Sequence, residues 1–80
     1  MKTSKSLNEI LATNLKQKRL ELNISQEKLA ELLNVHRNTI AFIERQKRSI
    51  SLELLEKLAK VLDCQASSLI EDKSNTEEHD

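Results

Sequence analysis

The chain has 80 residues, 13 basic and 13 acidic side chains, one cysteine, one aromatic residue, and neither glycine nor proline. That length allows one small domain, and the composition favours helix throughout while arguing against sheets, whose turns want glycine and whose strands want aromatics. Cys64 alone cannot form an internal disulfide, and no apolar run approaches a membrane span or signal peptide, so a soluble cytoplasmic protein is expected. The net charge of zero argues against a uniformly basic nucleic-acid binder, but it is an average. Residues 1–70 carry 12 Lys and Arg against 8 Asp and Glu, and the last ten carry 1 against 5. A body of +4 is cancelled by a tail of −4.

In chain order, residues 1–6 read as a flexible N-terminus. Ser6 and Glu9 fit the Ser-x-x-Glu capping box, and a first helix is expected from about Leu7 to Leu22, with Leu7, Leu11, Leu15 and Leu22 near one face and Arg19 in their midst. Asn23 ends it, Ile24 plugs the core, and Ser25 caps the second helix, whose apolar residues are Leu29, Ala30 and Leu33. Asn34 and Val35 leave room only for a tight turn before a third helix, from about His36 to Arg45, with Ile40 and Ile43 facing inward. A basic loop, 46–50, leads to a fourth helix capped by Ser51 and running to about Leu62, with Leu55, Leu58, Ala59 and Leu62 on its inner face. Residues 63–65 turn the chain into a short fifth helix from Ala66 to Ile70. The domain is expected to span 7–71. From Asp72 onward there is charge and no apolar residue, so 72–80 read as a disordered acidic tail.

Two short helices joined by about four residues make a helix-turn-helix. The non-core face of the second member offers His36, Arg37, Asn38, Ala41 and Phe42. Arginine and asparagine are the side chains best suited to guanine and adenine edges in the major groove.

The run Ser25, Gln26, Leu29, Ala30, Leu33, then Ile40, Ile43, Glu44, Arg45, with Lys47 and Arg48 behind it, resembles the helix-turn-helix of the phage repressor and Cro family, the xenobiotic-response-element type. The resemblance covers about Leu15 to Leu69. It implies an all-α, compact five-helix, lambda-repressor-like DNA-binding domain with its motif at helices two and three. It also implies that Arg37 and Asn38 face base edges, that Gln26 bonds a phosphate and braces the reading helix, and that Arg19 pairs with Glu44. His36, Thr39, Arg45, Lys47 and Arg48 complete the expected DNA contacts. Phe42 divides between a thymine methyl and a place in the core or an interface. The departures from the pattern are Asn23 and Asn34 where glycine is usual, Ser49 and Ile50 where Asn-Pro is common, and His36 where Ser or Thr opens the reading helix. The asparagines are tolerable because Asn is next to Gly in ease of the left-handed conformation. His36 is expected to weaken its cap.

These residues point to a sequence-specific transcriptional regulator, a repressor-like homodimer on a palindromic operator in double-stranded DNA, and the resemblance, closest to small stand-alone regulators, implies restriction–modification genes as candidate targets and RNA polymerase as a candidate second partner. A domain this small buries only about 60–65% of its unfolded surface, so association would help it. The expected dimer interface is an apolar edge of Leu54, Val61, Leu69 and Ile70. An antitoxin-type protein-binding module is the alternative. It ranks lower because the tail offers no apolar side chain to a partner. No nucleophile–base set is present and neither His36 nor His79 has a Cys or second His at ligand spacing, so no enzyme, cofactor or metal is expected.

Overall fold

In the computed structural model, which describes residues 6–72, the chain forms α1 (Leu7–Glu21), α2 (Gln26–Leu33), α3 (Arg37–Glu44), α4 (Leu52–Val61) and α5 (Ala66–Leu69), with no strand among the described residues. The expectations for the N-terminal five residues and for the tail beyond Asp72 lie outside the described residues. Asp72 itself is half-buried. None of the helices is long and apolar enough to cross a membrane.

Three helices begin on serine. The hydroxyls of Ser6, Ser25 and Ser51 accept from the amides of Glu9, Lys28 and Leu54 at 3.1, 2.9 and 3.0 Å, each satisfying a donor that the first helical turn would leave orphaned.

α1 to α4 all end the same way, through a residue with positive φ: Asn23 (60°), Asn34 (60°), Gln46 (64°) and Asp63 (57°). The amide that follows each of them reaches back five residues, Ile24 to Arg19, Val35 to Ala30, Lys47 to Phe42 and Cys64 to Ala59. This is the Schellman closure, usually built on glycine. Asn and Asp adopt the left-handed region at modest cost, whereas Gln46 has no short side chain to bond locally there. Gln46→Gly should therefore stabilise the domain by about 0.5–1 kcal/mol, the left-handed penalty less the entropy of glycine, and Asn34→Gly by much less. Thermal melts of the two variants check this.

The core gathers Leu11 and Leu15 from α1, Leu29, Ala30 and Leu33 from α2, Ile40 and Ile43 from α3, Leu55, Leu58 and Ala59 from α4, with Leu62 and Leu69. Ile24, Val35 and Cys64, each the residue after a left-handed end, pack against it. Three sequence expectations need correction. Leu7, the first residue of α1, and Leu22, the residue just past its last, are exposed. Leu69, expected on an exposed edge, is 2% exposed and belongs to the core. Leu54 and Val61, expected on the same edge, are half-buried and pack against the core. Of the four expected interface residues only Ile70 is exposed.

The burial of Leu69 follows from α5 being four residues long, with no side-chain cap from Gln65. One turn has no stability of its own and must be held by tertiary contacts. Leu69 supplies the apolar one. Asn14, buried on α1, supplies the polar one: its Nδ2 donates to the carbonyls of Leu69 and Glu71, both at 2.9 Å. One carbonyl ends α5 and the other lies two residues past it, so one amide ties the last helix and its exit to the first.

Candidate nucleic-acid interface

α3 lies across α1 and α2 with Ile40 and Ile43 buried beneath it. With about 100° between successive helical residues, Asn38, Ala41, Phe42 and Arg45 fall on the opposite side, with Arg37 at one flank of that row. Arg37, Asn38, Phe42 and Arg45 are exposed and Ala41 half-buried. The exposure of Phe42 removes the core as its place. Thr39 is half-buried and sits on the flank of the helix, so the structure does not bring it into that row.

The row is fixed at both ends. At its N-terminus His36 lies just outside the helix, in extended conformation, and its Nδ1 accepts from the amide of Asn38 at 3.0 Å. The cap expected to be weak is made, by a ring nitrogen in place of a hydroxyl. At its C-terminus Glu44 is held from two directions. Arg19 Nε and Nη2 donate to its two carboxylate oxygens at 2.8 and 3.2 Å, and Gln26 Nε2 donates to Oε1 at 3.0 Å. Arg19 also donates through Nη1 to the carbonyl of Ile24 at 2.9 Å. The ion-paired side chains are 10% and 5% exposed. The pair implied by the resemblance is therefore real and nearly buried, and it welds α1, the start of α2 and the end of α3 into one unit.

Gln26 stands in the first turn of α2, half-buried. One of its two amide hydrogens is taken by Glu44, which leaves the other to donate elsewhere. Arg45, Lys47 and Arg48 are all exposed and follow α3 directly. Lys47 differs from its equivalents. At the other three left-handed ends the residue in this place, Ile24, Val35 or Cys64, packs on the core, whereas here it is a lysine in solvent. A position that the motif normally uses for apolar contact has been given a cation, beside the outward face of the reading helix.

The sequence pattern did not point to Asn14, and it led to a weaker cap at His36 than the one the structure shows. Asn14 was hidden because an isolated Asn in an amphipathic helix has no local signature. His36 was underrated because imidazole is not ranked among capping side chains, although its unprotonated nitrogen is an acceptor of suitable reach.

A helix-turn-helix family model matches residues 15–69, which contain the whole of α2 and α3. The control protein C.SmaI of Serratia marcescens is 41% identical over 64 residues, 80% of this chain and 76% of that one. Among solved structures, the hypothetical transcription factor NHTF from Neisseria superposes with a TM-score of 0.85 at 27% identity, covering 95% of this chain and 90% of that chain. The restriction-modification controller protein C.AhdI from Aeromonas hydrophila superposes with a TM-score of 0.74 at 32% identity, covering 78% of this chain and 94% of that chain.

Proposed function

From the premise that this chain belongs to the helix-turn-helix family and is a DNA-binding transcriptional regulator, we propose that it acts as a homodimer on a roughly two-fold symmetric operator and controls restriction–modification genes in the cytoplasm. The observation that carries the DNA-reading role is the outward row of α3, clamped by the His36 cap at one end and by Glu44 at the other. Arg37 and Asn38 are the base-reading pair, Phe42 an apolar contact to a thymine methyl, and Gln26, His36, Arg45, Lys47 and Arg48 the contacts to phosphate. Phosphate contacts set register, and base contacts carry the sequence information. The choice of target genes draws on the likeness to C.SmaI and to C.AhdI, each a controller by name. An operator adjoining a promoter would bring RNA polymerase within reach as a second partner.

One reading helix offers too few contacts for useful affinity, which argues for a pair. The surface we assign to the pairing is not the edge expected from sequence. It is the exposed trio Leu52 (80%), Leu7 (64%) and Ile70, which rims a cleft of about 180 Å³ whose walls include Leu11, Ile50 and Leu55. A two-fold contact places the same patch on both subunits, so one apolar patch suffices. Leu52→Asp should yield a monomer at micromolar concentration by sedimentation, with the melting temperature little changed when both are measured at high dilution. Leu69→Asp should instead prevent folding. Selection of bound duplexes from random DNA tests the reading as a whole. The expected product is an inverted repeat with half-site centres about 34 Å apart, found upstream of a methyltransferase or endonuclease gene. A monomer that binds a single half-site as tightly as the dimer binds two, or a selection with no preferred sequence, overturns it.

A further inference from the structure

We propose that His36 is a positioning residue that ties the sequence discrimination of the reading helix to the protonation state of its own imidazole. The inference rests on the DNA-reading role of α3 and adds a control to it.

The N-caps of α1, α2 and α4 are serines, whose hydroxyls accept a hydrogen bond at any physiological pH. α3 alone among these four is capped by a titratable group. Because Nδ1 accepts from the Asn38 amide, the ring is held in the tautomer that carries its hydrogen on Nε2. A second proton can be added only at Nδ1. Adding it removes the acceptor and leaves the Asn38 amide without its partner. It also places a positive charge at the positive end of the helix, so the cap is replaced by a repulsion. Imidazole is the side chain whose charge changes between about pH 5 and pH 8, and His36 is exposed, so protons reach it. The other charged groups around it are Glu27, Lys28 and Glu31 from α2 and Arg37 from its own helix, which share one shallow depression with it.

The consequence falls on the two base-reading residues, since Arg37 and Asn38 form the turn that the cap holds. A frayed first turn must be ordered before either side chain can make a bidentate contact, so discrimination between sequences falls. The same proton adds a cation near the phosphates, which favours attachment to any DNA. Acidification therefore separates the two quantities: sequence discrimination drops while affinity for random DNA holds or rises. A purely electrostatic histidine would raise affinity for both duplexes together.

The test has two arms. In the free protein, an NMR titration should show the Asn38 amide moving together with the His36 ring, while the serine-capped amides of Glu9, Lys28 and Leu54 stay in place. On DNA, affinities for a duplex selected from random sequence and for a scrambled duplex are compared at about pH 8 and about pH 5.5. Wild-type discrimination should fall by about fivefold per reading helix, the equivalent of removing one typical cap. His36→Ser should show one discrimination value at both pH values, whatever affinity it loses with the histidine, and His36→Ala should show a lower value than His36→Ser at both. The variants retain His79, so any contribution from that residue appears in all three proteins. An Asn38 amide indifferent to the imidazole overturns the proposal, as does a His36→Ser protein with the pH dependence of wild type. A wild type that fails to distinguish the duplexes at pH 8 overturns the DNA-reading role instead, and the Asn38 amide then decides the capping role in the free protein.

Discussion

Glu44→Ala is expected to cost about 3–5 kcal/mol, the penalty for stranding one member of a buried ion pair. A domain of this size has a total stability of about 5–10 kcal/mol, so the variant should lose about a third or more of it and melt far below wild type. The charge left behind is that of Arg19, whose side chain is 10% exposed and whose remaining hydrogen bond is to the Ile24 carbonyl. Gln26 loses its partner at the same time. Removing both charges is a different matter. An Arg19→Met, Glu44→Leu double variant leaves no uncompensated charge, and replacing a buried pair by apolar side chains of similar volume is often close to neutral. The expected result is that the double variant melts well above Glu44→Ala. Thermal and urea unfolding of the three proteins measures it. A Glu44→Ala protein melting within a degree or two of wild type would mean that water reaches the pair and stabilises each charge alone.

The second large effect is on DNA. Arg37→Ala and Asn38→Ala should each weaken binding to the operator by about 1–3 kcal/mol per half-site and relax the preference at one base pair in each half-site. Both residues are exposed in the first turn of α3, so neither variant should lose stability. Lys47→Ala and Arg48→Ala should behave differently. Both lie beyond the end of α3, and the proposed reading assigns them to the sugar-phosphate backbone alone. Their removal should weaken operator and scrambled DNA alike, and lower the salt slope by roughly one for each phosphate no longer neutralised. A salt titration of the four variants against both duplexes separates the two groups. The assignment fails if Arg37→Ala weakens both duplexes equally, or if Lys47→Ala alters the preferred base.

The helices and their order were legible from the chain because their signals are local. A serine before an apolar repeat accepts the hydrogen bond its spacing implies, as Ser6, Ser25 and Ser51 do. An asparagine after such a repeat takes the left-handed turn, as Asn23 and Asn34 do. The outward row of α3 was legible for the same reason, since Ile40 and Ile43 set the phase and every other position on the helix follows from it.

What the chain could not show is which apolar residues outside the clear repeats are covered. Leu69 and Ile70 are neighbours in sequence, both at the end of a one-turn helix, yet one is in the core and the other exposed. That difference depends on how α5 lies against α1, and the lie of α5 depends on Asn14 reaching carbonyls more than fifty positions away. Leu7 and Leu52, the first residues of α1 and α4, are likewise exposed although each opens an amphipathic helix. The same holds for His36. Its residue type says that it can titrate, but only the geometry at the start of α3 aims Nδ1 at the Asn38 amide. Local hydrogen bonds and periodicity are properties of a segment, so sequence alone determined the helices and the outward face of α3. Burial and the direction of a side chain are properties of the packed whole, so tertiary structure alone decided which apolar side chains stay exposed and where the His36 ring nitrogen points.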